Sequence, residues 1–407
     1  MKFLKTKSAL ILCAVLALFY FTNDFALIDI EKTAIVVAIG IDETEDGYEV
    51  TAQIALPQAT DAASANDDAV LTSKGKTMFE AIENVAAKSG WHAKLSFCGL
   101  IVIGRKVAER SATNLIDYIV TSEKFENSTL AVVSDTTAKE VLLAVTPLDA
   151  ISSFALEKIV LKNEWMIAPV NVTNVKKFAV STYSPSKAAY LPVVKIVKGD
   201  NKGKGGSSSA VTASTGEAGG EGGSKSSEGS SGQNSSKKDE TVVFDVSSCA
   251  FFKDGQYVAT VGEKETKILN MLNSPVQESY FTAEKNGEKY YFHLTCEKKT
   301  LSVTAAEKPS VEYGLSLRVK IVDSTAPAPL DKKDERTKVD DELLSALKTE
   351  IENAVNALDA AARLHDCDVL GFKDKLYKYR YDDYNRFSDL PLIDYGKTVD
   401  IVIRSED

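Results

Sequence analysis

The first residues to ask for chemistry are the histidines, because an imidazole can serve as a general base near neutral pH, activate a nucleophile or hold a metal. His92, His293 and His365 are the three that the chain contains. They fall in three different expected elements, none sits in a nucleophile-elbow context, and neither a G-x-x-x-x-G-K-[ST] phosphate loop nor an H-E-x-x-H helix occurs. The five cysteines form no C-x-x-C pair, which excludes a zinc ribbon and a dense disulfide scaffold. Cys249 and Cys296 lie in expected strands that could be neighbours, so a disulfide between them stays open. The acidic stretch Asp42-Glu43-Thr44-Glu45-Asp46-Gly47 offers carboxylates for calcium but lacks the spacing of a calcium loop, and it reads as an exposed hairpin turn. Gly40 opens no dinucleotide loop, since no G-x-G-x-x-G follows it. Asp366-Cys367-Asp368 and the aromatic run Tyr377, Tyr379, Tyr381, Tyr384 and Phe387 could form a binding face. The plainer reading is that such tyrosines cover a sheet with their rings and keep the hydroxyl wet. These residue types and spacings therefore predict no catalytic residue, no bound metal and no cofactor.

The elements that must position these residues are mixed. Thr33 to Asp42 is a β-branched apolar run that reads as a buried strand, and the alternating Tyr48 to Leu56 pairs with it as a hairpin. Thr60 to Asp68 reads as an exposed loop. A helix is expected over Thr77 to Ser89, stopping at Gly90, with Met78, Ile82, Val85 and Ala86 on one face. Leu100 to Ile103 and Leu130 to Val133 read as strands, and Ala112 to Val120 and Ala138 to Val145 as helices. Strands are also expected over Ala189 to Val197 and Thr241 to Phe252, and the Gly/Ser-rich tract between them cannot build a core. Loop closure costs only about 0.6 kcal/mol per doubling of length, so these two strands can pair across the insert. Beyond it come a tight turn at Lys253 to Gln256, a helix over Glu263 to Leu272 and strands over Glu288 to Cys296, Leu301 to Ala305 and Leu315 to Val322. Asp340-Asp341 then caps a long amphipathic helix carrying Leu344, Leu347, Ile351, Val355, Leu358 and Ala362. A second helix is expected over Val369 to Tyr379 and a last strand over Thr398 to Ile403.

With 48 Lys and Arg against 58 Asp and Glu, the 407-residue chain carries a net charge of −10, and without a local basic patch it is no nucleic-acid binder. Lys2, Lys5 and Lys7 precede an apolar run from Ala9 to Phe21. No A-x-A cleavage triplet lies between Phe21 and Ile28, so the segment reads as a retained membrane anchor, lysines inside and the body outside. Cys13 follows Leu12 rather than a small residue, an unsuitable context for lipidation.

Four stretches resemble the Ger(x)C spore germination proteins, the C subunits of germinant receptors. Ala34 to Asp42 with Tyr48 to Gln53 looks like that family's opening hairpin, and Gly75 to Ala81 through Cys98 to Gly104 is similar to its helix-then-strand segment. Cys249-Ala-Phe-Phe-Lys253-Asp-Gly255 with Gly262 to Thr266 resembles a C-terminal block, and Asp368-Val-Leu-Gly371-Phe372 a later D-x-x-G-[FL] block. Two departures stand out, since members usually open with a lipidated Cys and carry Gly or Thr where Cys249 stands. The resemblance implies three small mixed α/β domains on the extracytoplasmic face of the inner spore membrane, in complex with an integral-membrane A-type subunit and a transporter-like B-type subunit. It implies no enzyme.

The expected fold is thus α+β or mixed α/β, multi-domain, with small mixed sheets flanked by helices and an N-terminal anchor. The expected units are the anchor (1–28), two α/β units (29–125 and 126–197), a disordered insert (198–240) and a C-terminal unit (241–407). The expected partner surface combines the outer face of the long helix, Glu350, Asn353 and Asn356, with Tyr377, Tyr379, Tyr384, Arg386 and Phe387. The competing reading is a membrane-anchored extracytoplasmic module that binds a ligand and has no part in germination. Two similar lobes joined by hinge strands would mark a solute-binding protein, and no internal duplication is visible.

Overall fold

The computed structural model describes residues 11–17, 33–55, 68–147, 149, 151–162, 172–198, 242–274, 277–326 and 339–406. Residues 11–17 form a short helix, α1, with Ile11, Leu12, Val15 and Leu16 exposed. The rest of the expected anchor and the Gly/Ser insert lie outside the described residues. Among the described residues no helix is long and apolar enough to cross a membrane.

The architecture is mixed α+β, built on two mixed sheets. β1 (Thr33–Thr44), β2 (Gly47–Ala55) and β3 (Asp68–Gly75) form an antiparallel meander. β1 then pairs in parallel with a short β4 (His92–Lys94) and with β5 (Leu100–Ile103), which continues through β6 (Leu130–Ser134) to β7 (Ala188–Lys198). β8 (Val242–Lys253) and β9 (Gln256–Val261) close the nine-stranded sheet in the order β3-β2-β1-β5-β6-β7-β8-β9. Leu100 to Ile103 and Leu130 to Ser134 are buried throughout because helices cover both faces of this sheet. On one side lie α2 (Met78–Ser89), α3 (Arg105–Thr121) and α6 (Val175–Thr182), on the other α4 (Ala138–Leu142) and α5 (Ser152–Lys162).

The second sheet, β10 (Glu278–Lys285), β11 (Glu288–Ala305), β12 (Pro309–Ser324) and β13 (Gly396–Ser405), is antiparallel except for its parallel β12–β13 pair. Packed against it are α7 (Glu263–Asn273), α8 (Asp341–Leu364) and α9 (Phe372–Tyr379), with α10 (Tyr381–Phe387) following directly.

β7 and β8 pair antiparallel from Ala188–Lys253 to Lys198–Val242, so the two ends of the Gly/Ser insert emerge side by side. The boundary expected at residue 241 therefore falls between hydrogen-bonded partners, and β8 and β9 are built into the first sheet. This hairpin also serves two cores. Its alternation sends Ala189, Leu191, Ala250 and Phe252 into the first, while Ala188, Tyr190, Cys249 and Phe251 enter the core between α7, α8 and the second sheet. The turn from β8 to β9 needs left-handed backbone at Asp254 (φ 50) and Gly255 (φ 73), the geometry that favours Asp-Gly in tight hairpins. Replacing residues 200–237 by a short turn is expected to leave a single cooperative urea transition with an unchanged midpoint. Loss of cooperativity would show the insert to be structural.

Candidate functional site: a tyrosine cluster and the joint that carries it

The structure divides the expected partner surface. On α8, Glu350 is half-exposed and accepts from Lys264 Nζ of α7 at 2.7 Å, whereas Asn356 accepts from Lys397 Nζ of β13 at 2.7 Å. Asn353 lies exposed between them on the same helix. The tyrosines form a separate patch on α9 and α10. Tyr377 meets Tyr381 and Tyr384 edge to face, at 5.5 and 5.2 Å between centroids, while Tyr381 and Tyr384 stack at 6.2 Å. Tyr377, Tyr379 and Tyr381 are 49%, 72% and 56% exposed, so the rings pack on one another at the surface instead of lying flat under other groups. Lys378 lies over Tyr379, and exposed Arg386 lies over the Phe387 ring at 4.8 Å. Phe387 itself is only 8% exposed, which removes it from the expected surface. It is the apolar residue by which α10 is seated.

The patch is held by a polar joint that begins at Asp366. Lys253 Nζ of β8 reaches Asp366 at 2.5 Å, and the Cys367 thiol donates to the Phe252 carbonyl at 3.2 Å. Burial opposes ionisation of Asp366, but the Lys253 ammonium and the Leu392 N–H outweigh it and hold its carboxyl below the usual range. Asp368 is buried and caps α9, accepting from the N–H groups of Phe372 at 2.9 Å and Lys373 at 2.7 Å. It also accepts from Ser186 Oγ at 2.8 Å, just before β7. Gly371 adopts φ 70, a conformation that costs Gly least, and this turns the chain from Asp368 into the helix. Asp374 completes the joint from the first turn of α9, accepting from Ser186 N at 2.8 Å and Ser184 Oγ at 3.2 Å. Burial pushes the Asp368 carboxyl up to about 6. It also draws the Lys375 ammonium, which donates to the Leu301 carbonyl at 2.7 Å, down to about 8.

Other sequence candidates resolve into structure. Asp42 is not in an exposed turn. It is buried and caps α4, accepting from Ala138 N at 2.8 Å and Lys139 N at 2.9 Å, and its burial raises its carboxyl. Gly40 lies where a Cβ would press on Ala138 and Leu142, so the glycine lets α4 sit on β1. His92, His293 and His365 stay apart, in β4, in β11 and at the C-cap of α8. Cys249 and Cys296 are both free thiols. Among the described residues no group of three or more His, Cys, Asp or Glu side chains could hold a metal. A groove of about 860 Å³ runs along α5, lined by Phe154, Ile159, Leu161, Val243 and Phe244 with Glu157 beside them. Sequence reasoning did not find it, because α5 carries no strong periodic signal that would have announced a helix there.

Two family descriptions match the chain in order. The Spore germination protein N-terminal domain matches residues 27–196, and the Spore germination B3/GerAC-like C-terminal domain matches residues 247–405. The chain belongs to the Ger(x)C family of spore germination proteins. Membership gives it a role in spore germination. The crystal structure of the GerBC protein superposes with a TM-score of 0.51 at 13% identity, covering 91% of this chain and 97% of that one, a likeness of fold. No curated protein matches the chain. Three of the blocks that resemble the family now have physical roles. Gly40 and Asp42 seat and cap α4, the Cys249–Gly255 block is the hairpin strand shared by two cores, and Asp368 to Gly371 is the joint under α9.

Proposed function

We propose that the chain is a non-enzymatic, extracytoplasmic subunit of a germinant receptor, anchored at the inner spore membrane, that acts through contacts with the receptor's integral-membrane A-type and transporter-like B-type subunits. The observation that carries this reading is the ordered match of both family domains, from residue 27 to residue 405. The exposed tyrosine cluster supports contact with protein, because rigid amphipathic rings bury large area at small entropic cost. The two α/β units and the C-terminal unit expected from the sequence belong to the same proposal, with β8 and β9 assigned to the first sheet. A ligand-binding module is the second reading, and the groove along α5 favours it. The two separate when the purified full chain, in detergent, is titrated with small-molecule germinants in the absence of any partner. The receptor-subunit reading expects neither turnover nor heat of binding. Tight binding that Phe154→Ser or Leu161→Ser abolishes would transfer the function to the groove.

A further inference from the structure

Three large apolar side chains are exposed near the start of β1, at one end of the first sheet. β1 begins at Thr33, and its first residues pair in parallel with β4, Thr33 with His92, Ala34 with Ala93 and Ile35 with Lys94. Side chains paired across a parallel ladder share a face, so Ile35 and Lys94 lie side by side. Lys94 Nζ then reaches over the Phe97 ring at 5.5 Å, in the helical turn Leu95–Phe97. Trp91 immediately precedes β4, with its backbone held by the Ser89 hydroxyl. Ile35, Trp91 and Phe97 are 40%, 45% and 58% exposed, and His92 and Lys94 are exposed beside them.

We propose that this end of the sheet, where β1 and β4 begin and which carries Ile35, Trp91, His92, Lys94 and Phe97, rests on the phospholipid headgroup layer of the membrane that the N-terminal segment enters. The inference rests on the anchored reading above and adds which side of the body meets the lipid. Its chemistry is that of a membrane interface, with an indole and a phenyl ring at headgroup depth and a lysine beside them for phosphate. Chain length permits the placement. Twelve steps separate Phe21, at the end of the apolar run, from Thr33, a reach of about 40 Å at full extension, and β4 stands one strand spacing from Thr33. With a net charge of −10, the protein has no general attraction to an anionic surface, so the contact depends on the tether and on short-range partition of the rings. The groove along α5 is a poorer membrane face. Its Val243 pairs with Val197, past the β7 residue that meets Ser134 at the C-terminal end of β6, whereas Thr33 opens the parallel β1 at the other end of the sheet.

The chain has two tryptophans, so Trp165→Phe leaves Trp91 as the single indole. This variant of the full chain is incorporated into vesicles of phosphatidylcholine and phosphatidylglycerol in equal parts, floated, and measured with lipids brominated near the headgroup and with aqueous iodide. The proposal expects Trp91 to lose most of its emission to the brominated lipid and to be shielded from iodide, and Phe97→Ser with Lys94→Glu to reverse both while flotation persists. Should Trp165→Phe fold poorly, the difference between the wild-type chain and Trp91→Phe gives the same signal. A chain that floats while Trp91 is untouched by brominated lipid overturns the proposal, whether iodide reaches the ring or another protein surface covers it. A chain that does not float overturns the anchored reading and this inference together.

Discussion

Replacing Asp368 with alanine is expected to destabilise the protein by about 2–4 kcal/mol, because it strands the Phe372 and Lys373 N–H groups and the Ser186 hydroxyl in a buried site. Asp368→Asn keeps one carbonyl acceptor and should cost less, about 1 kcal/mol. The two variants also differ from the wild type in pH dependence. The folded carboxyl is pushed up to about 6, above the unfolded Asp value of about 3.9, so the native state binds the extra proton between those values. Its contribution to stability therefore falls as pH rises from about 4 to about 6 and is constant above that. Asp42, also raised, acts in the same direction, while Asp366 and Asp340, both lowered, contribute stability that is lost as pH falls. Subtracting the urea-derived profile of Asp368→Asn from that of the wild type isolates the Asp368 slope. A flat difference from pH 4 to 7 would show that the carboxyl is not desolvated at the joint.

A still larger loss is expected for Phe252→Ala, about 3–5 kcal/mol. Phe252 is fully buried in β8, where its ring meets Phe178 at 5.1 Å and Tyr257 at 6.1 Å, both edge to face. Truncation removes the transfer free energy of the ring and leaves a cavity that the paired strands on either side cannot collapse. The urea midpoint should fall with an unchanged slope. A loss below about 1 kcal/mol would mean that Phe178 and Tyr257 refill the space, and that the hairpin is less constrained than its two cores imply.

These residues show where the sequence was legible and where it was not. β5 and β6 announced themselves because strands buried on both faces must be continuous apolar runs, and α8 because its Leu347, Ile351, Val355 and Leu358 repeat follows one helix face. β11 was expected as two strands because Glu297 to Thr300 is polar. It continues as one through a bulge at Cys296 to Lys298, where those side chains are largely solvent-facing. β10 escaped notice because small Ser279 and Ala283 fill its buried positions beside Phe281, which weakens the alternation. The second helix was expected from Val369, but Gly371 in the left-handed region and the Asp368 cap delay it to Phe372. Asp368 stood out within a family-like block, yet its role depends on Ser186, 182 residues away, and no local pattern encodes such a pairing. The tyrosines were visible as a run. That exposed Tyr377 and Tyr381 gather with half-buried Tyr384 into one cluster, while Phe387 turns inward, depends on the break between α9 and α10 at Arg380.

The measurement that bears most directly on the receptor-subunit account is affinity purification of the tagged full chain from gently solubilised spore membranes, comparing the wild type with Tyr381→Ser/Tyr384→Ser/Arg386→Glu. Tyr381 and Arg386 are exposed and Tyr384 is half-buried against the other two rings, so the variant's melting temperature is measured alongside and only a variant that still melts cooperatively is compared. The account predicts that the wild type carries multi-span receptor subunits with it and that the variant loses them. If the wild type brings down no multi-span subunit, or the folded variant retains its partners in full, the claim that this protein acts through its C-terminal tyrosine surface is contradicted.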